Sequence, residues 1–284
     1  MNTDEYLKLA EVEDQMWYFR SLHAHVQREL AELTSRQAAR AAPVAIGAAG
    51  QPPAARNASG APHPQIQPPG SRVATSRPHV LDAGCGTGGL ILRLRAAHPE
   101  WTFAGVDFMP IACELARKRC GPDVDIRVAS ITELPFADES FDAVVSADVV
   151  CQVDNPEVAA SEFFRVLRPG GTVVLNVPAY MWMWSYHDES CQTRHRYTRP
   201  EIDDLLREAG FGGRRTTHWN ALPFPGLWAK RKIFRSSRDT SDVKRYPAPV
   251  EAACNGLMRL EHAWLRAGGR WAWGTSVFGV GRKP

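Results

Sequence analysis

The 284-residue chain predicts an α/β fold built on a doubly wound, mostly parallel sheet of seven strands, with helices at its N-terminus acting as a lid. Three observations carry that prediction. Short apolar runs that end in acids or glycines alternate with segments of helical period through the middle of the chain. The first such run, Val80-Leu81-Asp82, opens into a turn containing Gly84, Gly86, Gly88 and Gly89. The length, with 44% hydrophobic and 23% charged residues, suffices for one good core with some decoration.

Residues 3–34 place Leu7, Leu9, Val12, Met16, Trp17, Phe19, Leu22, Val26, Leu30 and Leu33 at spacings close to three and four, an amphipathic helical pattern broken once. The aromatic knot Trp17-Tyr18-Phe19-Arg20 either packs its Trp and Phe onto the sheet domain or closes over the active site, with Arg20 reaching a carboxylate. Residues 1–35 are read as this lid, and Arg20 is placed with the cofactor-binding residues. From 36 to 77 the composition turns to Ala, Pro, Gly and Gln, with Pro52-Pro53 and Pro68-Pro69. Such a segment buries too little surface to offset its ordering entropy, so a disordered insertion is expected. The domain proper is then 78–284.

At the glycine turn Val80 and Leu81 finish a buried strand, and Leu90–Ala97 begin the next helix. Gly84, Gly86 and Gly89 satisfy the G-x-G-x-x-G of a dinucleotide site, where a pyrophosphate sits on the helix N-terminus. Asp82 would resist that anion. The next strand, Trp101–Val106, closes on Asp107, 25 residues beyond Asp82. An acid that follows the second strand, at an offset of ~20 residues from the turn, binds a ribose hydroxyl pair.

A helix over Ile111–Cys120 and the breaker Gly121-Pro122 lead to a strand at Val124–Val128 and the segment Ala129 to Phe136. A fourth strand, Phe141–Ser146, ends at Asp148. A helix over Pro156–Leu167 is expected to stop at Arg168-Pro169-Gly170-Gly171, a turn that starts the strand Thr172–Val177. The aromatic segment Pro178 to Glu189 then emerges from the carboxyl edge of the sheet and runs on to His195-Arg196-Tyr197-Thr198. Thr198 caps a helix over Pro200–Ala209. Arg214–Trp219 and Ser276–Gly281 form a closing antiparallel hairpin with helical material between them. In that material, basic and aromatic Leu227–Arg235 reads as a lid helix in solvent. The alternative is an interfacial membrane contact through Lys230, Arg231 and Lys232.

The net charge of +3 comes without a long basic run, which argues against a nucleic-acid partner and for a small-molecule substrate. The six cysteines are scattered with no C-x-x-C pair, as expected of reduced thiols. The polar N-terminus and the lack of ~18 uninterrupted apolar residues predict a cytoplasmic protein. The oligomeric state is not legible.

Five motifs, Val80-Leu81-Asp82-Ala83-Gly84-Cys85-Gly86-Thr87-Gly88, Gly105-Val106-Asp107, Leu134-Pro135-Phe136, Phe141-Asp142-Ala143-Val144 and Arg165-Val166-Leu167-Arg168-Pro169-Gly170-Gly171, stand in order. Together they resemble the class I S-adenosylmethionine (SAM)-dependent methyltransferases, specifically the bacterial type 11 methyltransferase-domain group. The resemblance covers roughly residues 78 to 282 and implies a Rossmann-like sheet. It implies that Asp82, Gly84, Cys85, Gly86 and Gly88 hold the methionine moiety, with Asp82 answering its ammonium. Asp107 would hold the ribose hydroxyls, Phe108 would stack near the adenine, Ser130 and Ile131 would meet its edge, and Asp148 would line the sulfonium side. Two positions depart from the pattern. Ser130 stands where relatives commonly have Asp, and Cys151-Gln152 where they often have Glu-His.

The implied activity is methyl transfer from SAM to a small or medium acceptor, yielding S-adenosylhomocysteine (SAH). An oxygen of a natural-product or glycan-type scaffold is favoured, because the aromatic segment Tyr180 to Tyr186 suits a flat or partly apolar substrate. The alternatives are amine or carboxyl methylation, a non-catalytic SAM-binding protein, and an NAD-dependent oxidoreductase. An oxygen nucleophile calls for a proton acceptor, and His187 and His195 are the candidates. Asp188 would orient the base, with Arg196 or Tyr197 contacting substrate. His187, Cys191 and His195 also fall at i, i+4, i+8, but the resemblance implies no metal.

Overall fold

Alternation of side chains decides how the first strand is covered. In β1 (His79–Ala83) Val80 joins one apolar core while Leu81 and Ala83 join the other. The computed structural model describes residues 3–31, 33, 77–233 and 241–284. The expected insertion at 36–77 therefore lies, Arg77 apart, outside the described residues.

Around β1 stand β2 (Thr102–Asp107), β3 (Asp125–Val128), β4 (Phe141–Ala147), β5 (Leu167–Pro178), β6 (Gly212–Trp219) and β7 (Ser276–Arg282). They form one seven-stranded sheet in the order β3-β2-β1-β4-β5-β7-β6. The first five are parallel, and β7 runs antiparallel between β5 and β6. The strand order reverses between β1 and β4, which opens a crevice at the carboxyl edge.

One face of the sheet is covered by α1 (Thr3–Val12), α2 (Trp17–Leu30), α3 (Gly89–Ala97) and α4 (Pro110–Cys120), whose Leu9, Val26, Leu90 and Ala116 share a core with Val80. α5 (Pro156–Val166) and α7 (Arg199–Glu208) cover the other with Phe163 and Ile202. Between them the short α6 (Tyr186–Ser190) carries part of the expected acceptor segment. Inside the β6–β7 hairpin lie α8 (Phe224–Lys232) and α9 (Ala248–Arg266), the latter packed on α2. Thr198 does cap α7, with Glu201 accepting its N–H at 2.6 Å.

One expected turn is corrected. Arg168-Pro169-Gly170-Gly171 does not separate helix from strand but lies inside β5, which starts at Leu167. Leu167 pairs with Phe141 and Thr172 with Ala143, so the intervening residues bulge out of register. Gly170, at φ +74°, donates its N–H to the Lys283 carbonyl at 2.8 Å, which replaces the lost ladder bond. Pairing of β5 with β4 and β7 on its two sides carries the chain through that stretch as strand.

Candidate active site

The strands end where the acids are. Asp82 is the fourth residue of β1, Asp107 ends β2, Asp148 follows β4 and Asn176 lies near the end of β5. Above them α1 and α2 roof a cavity of about 1070 Å³. A site for one drug-sized ligand is about 300–1,000 Å³, so this one has room for a cofactor together with an acceptor.

At one pole the glycine turn is shaped by backbone need. Gly84 (φ +98°) sits against Val149, and a Cβ there would fall 2.1 Å from Val149 Cγ2. Asp107 pins the turn by accepting the N–H of Gly86 at 3.0 Å on one oxygen, while the other accepts from the Met109 N–H at 3.0 Å and the Tyr6 hydroxyl at 3.1 Å. Glu13, in the break between α1 and α2, accepts from the Thr87 hydroxyl at 2.7 Å and from Arg119 at 2.9 Å. Its carboxyl lies over the N-terminus of α3, where a Cβ on Gly89 would come within 2.1 Å of it. The anion site that a helix N-terminus offers is thus filled by the protein's own carboxylate.

Buried Asp82 faces the same pole. Desolvation first, then the neighbouring Glu13 and Asp107 carboxylates, push its pKa well above the ordinary carboxylate range. Glu13 and Asp107 are likewise raised, with burial the largest cause in each. Three crowded carboxyls fit a ligand that brings positive charge, as the ammonium and sulfonium of SAM do. Phe108, 74% exposed, and buried Ile131 offer apolar surface beside them. Ser130 also lines the cavity, but its hydroxyl is engaged by the Thr132 N–H at 3.2 Å and lies 2.7 Å from the Thr132 hydroxyl. Cys85 and Gly86 complete the wall; burial pushes the Cys85 thiol up, so it stays protonated.

Asp148 stands at φ +59°, in the left-handed region that Asp tolerates better than most non-glycine residues. Its carboxylate accepts from the Tyr18 hydroxyl at 2.7 Å and from the Asn176 amide at 2.8 Å. Burial raises its pKa to about 6, against the pull of Tyr18, Arg196 and Asn176. Asn176 in turn accepts the indole N–H of Trp219 at 2.6 Å, and Trp219 stacks on Tyr18 with ring centres 5.6 Å apart. This network fixes one carboxylate poised near neutrality.

The expected bases fare differently. His187 lines the cavity, but its Nδ1 accepts the Asp242 N–H at 3.2 Å, which leaves the proton on Nε2. Burial and the Arg231 charge lower its pKa to about 3. It can donate and is a poor proton acceptor. His195 points away from the cavity, half exposed, with Nε2 3.0 Å from Glu201. The reading of His195 as a base is therefore corrected. α6 ends at Ser190, so His187 and His195 do not share a helical face.

Asp188 and Arg196 are buried together on the cavity wall, 3.1 Å apart, and Asp188 also accepts the Ser185 N–H at 2.8 Å. Asp188 orients Arg196 rather than a histidine. Tyr197 is corrected to a core residue, its hydroxyl 3.5 Å from the Val150 carbonyl. Arg20 is exposed and does not line the cavity; α2 turns its neighbour Tyr18 inward instead. The aromatic segment is also corrected. Tyr180 to Tyr186 does not line the cavity, because Trp182 is exposed while Met183 and Tyr186 are buried elsewhere.

Sequence reasoning missed Tyr6, Glu13, Tyr18, Asn176 and Trp219. Asn176 left a signal, a lone amide inside Thr172-Val173-Val174-Leu175-Asn176-Val177. Tyr18 sat in the knot credited to Arg20.

Residues 81–175 match the family model described as a methyltransferase domain. The ubiquinone/menaquinone biosynthesis C-methyltransferase UbiE of Desulfotalea psychrophila is 36% identical over 34% of this chain and 39% of its own length. A probable SAM-dependent methyltransferase of Mycolicibacterium smegmatis is 35% identical over 46% of this chain and 51% of its own. The chain thus spans about half, or less, of these relatives. A solved geranyl diphosphate methyltransferase in complex with SAM shares the fold, with a TM-score of 0.52 at 17% identity over 73% of this chain and 79% of that one.

Proposed function

We propose that this chain, which carries a class I SAM-dependent methyltransferase domain, transfers a methyl group to an oxygen of a small or medium acceptor, with Asp148 taking the acceptor's proton. The carrying observation is that one cavity holds both a pole of three crowded carboxyls, of which Glu13 pairs with Arg119, and, apart from it, a hydrogen-bonded carboxylate with a pKa raised to about 6.

In this reading Asp82 and Glu13 meet the ammonium of SAM, Asp107 exchanges its Tyr6 partner for the ribose hydroxyls, and Phe108 and Ile131 flank the adenine. SAM supplies an electrophilic methyl on a sulfonium. In-line displacement then needs little beyond alignment and an electron-rich oxygen. Asp148 accepts the hydroxyl proton as the O–C bond forms and the S–C bond breaks. Tyr18 and Asn176 hold its two oxygens, and Arg196 and His187 offer donors to the acceptor.

Calorimetric titration with SAM, SAH and NADH tests the cofactor. SAM and SAH should bind and NADH should give no heat; the reverse would overturn the reading. The raised carboxyls Asp82, Glu13 and Asp107 hold protons more strongly before a cation arrives than after. SAM binding should therefore release protons, seen as a dependence of the heat on buffer ionisation enthalpy, and tighten as pH rises. Proton uptake would contradict the assigned pole.

A further inference from the structure

Beyond Asp148 the cavity continues toward α8 and residues 242–246. The Arg196 charge acts on the Asp148 carboxyl, and Arg231 of α8 acts in turn on Arg196 and His187, so these groups are neighbours. The cofactor pole, where Tyr6 meets Asp107 and Glu13 meets Thr87, is roofed by α1 and the break after it. The start of α2 faces the other compartment, since Tyr18 sets its hydroxyl on Asp148.

The buried charges of this compartment are matched within its own wall. Asp188 pairs with Arg196 at 3.1 Å, and Asp242 accepts from Arg231 Nε at 2.8 Å. All four line the cavity, with side chains at most 9% exposed. Lys230 also binds Asp242 but does not line the cavity. Arg194, on the exposed rim, pairs with Asp154. Such a wall offers the donors of Arg196 and His187 with the buried charges already answered. The rest of it is apolar. Trp17 and Val243 belong to one buried core, Leu227 and Tyr246 pack against it, and all four line the cavity. Trp17 is fixed there by its N–H, which Glu251 of α9 accepts at 2.8 Å. Leu227 and Arg231 stand one turn apart on α8, so one helix face presents an aliphatic chain beside a paired guanidinium. The Tyr246 hydroxyl donates to the Asp242 carbonyl at 3.3 Å, which occupies its polar end.

We infer that the acceptor is a neutral hydroxyl compound with an apolar body, a phenol or an alcohol on a hydrocarbon frame, seated between Trp17 of the lid and Leu227, Val243 and Tyr246. The identity of the reacting group rests on the proposed methyl transfer; the nature of the body rests on this compartment. An acceptor carrying a carboxylate, phosphate or ammonium loses its hydration here and finds the buried opposite charges already taken. A sugar sets several hydroxyls against Trp17 and Leu227, where they find no partners. A neutral apolar body loses little on leaving water, and a carbonyl or ether oxygen on it accepts from Arg196 or His187. These four side chains thus take the role that the sequence suggested for Tyr180 to Tyr186.

Calorimetric titration of the full chain, saturated with SAH, with 2-naphthol, 6-hydroxy-2-naphthoate and methyl glucoside is the test. The naphthol should bind. The naphthoate, which adds a carboxylate to the same frame, should bind at least about tenfold more weakly, and the glucoside should give no heat. Leu227→Asp puts an unpaired carboxylate on the wall and Leu227→Trp fills the space beside it; each should weaken naphthol binding at least about tenfold, with SAH affinity within a few-fold. Absence of naphthol binding would overturn the inference, as would tighter binding of the naphthoate or the glucoside, or naphthol binding that both variants keep. Replacing SAH by SAM separates the two readings: naphthol that binds without being methylated leaves the compartment standing and counts against the methyl transfer. Where SAH itself fails to bind, the cofactor reading falls, and naphthol titrated into the free chain still decides the nature of the compartment.

Discussion

Asp148→Asn is expected to lower turnover by about a hundredfold or more while SAH affinity stays within a few-fold, because a positioned proton acceptor contributes on that scale. Asparagine keeps the shape and can still accept from Tyr18, but it cannot take a proton. With wild-type protein, turnover should fall as pH drops through about 6, where Asp148 becomes protonated. That acid limb should vanish in Asp148→Asn. Tyr18→Phe removes a donor that lowers the pKa of Asp148, so its limb should move to higher pH. His195→Ala, on the far side of the wall, should keep near-normal turnover. If His195→Ala is the inactive variant and Asp148→Asn is not, the proton goes elsewhere.

Asp107→Ala is expected to weaken SAM binding by about 2 kcal/mol or more, roughly thirtyfold, since hydrogen bonds from two ribose hydroxyls to a charged acceptor disappear. The same carboxylate also fixes Gly86, Met109 and Tyr6, so part of any loss could reflect a loosened turn. Two controls separate these effects. Tyr6→Phe removes only the lid's hydroxyl from Asp107 and should leave SAM affinity unchanged or improved. The thermal midpoint of Asp107→Ala, measured without ligand, reports the structural share. Unchanged SAM affinity in Asp107→Ala would remove the ribose assignment.

The cradle and sheet were legible because their causes are local. An apolar run that stops at Asp82, a turn that requires positive φ at Gly84, and a second strand ending at Asp107 each act within a few residues. Glycine spacing alone left two cofactors open, and Asp82 pointed between them only as a charge argument. What decided further was Glu13 on the helix N-terminus, a contact made 74 residues away in sequence. The catalytic candidates were misjudged for a related reason. Histidines were favoured by their free-solution pKa, but burial lowers that of His187 and exposure removes His195 from the cavity.

By itself the sequence determined the alternating α/β order, the glycine turn, the two acids at the strand ends and the capped helix that starts after Thr198. Only the tertiary structure decided which side chains share the cavity. Tyr6 reaches Asp107 across 101 residues and Tyr18 reaches Asp148 across 130. Periodicity reports which face of an element is apolar, but a pKa near neutrality or a neutralised histidine depends on desolvation and charges brought from distant segments, and those exist only once the chain has folded.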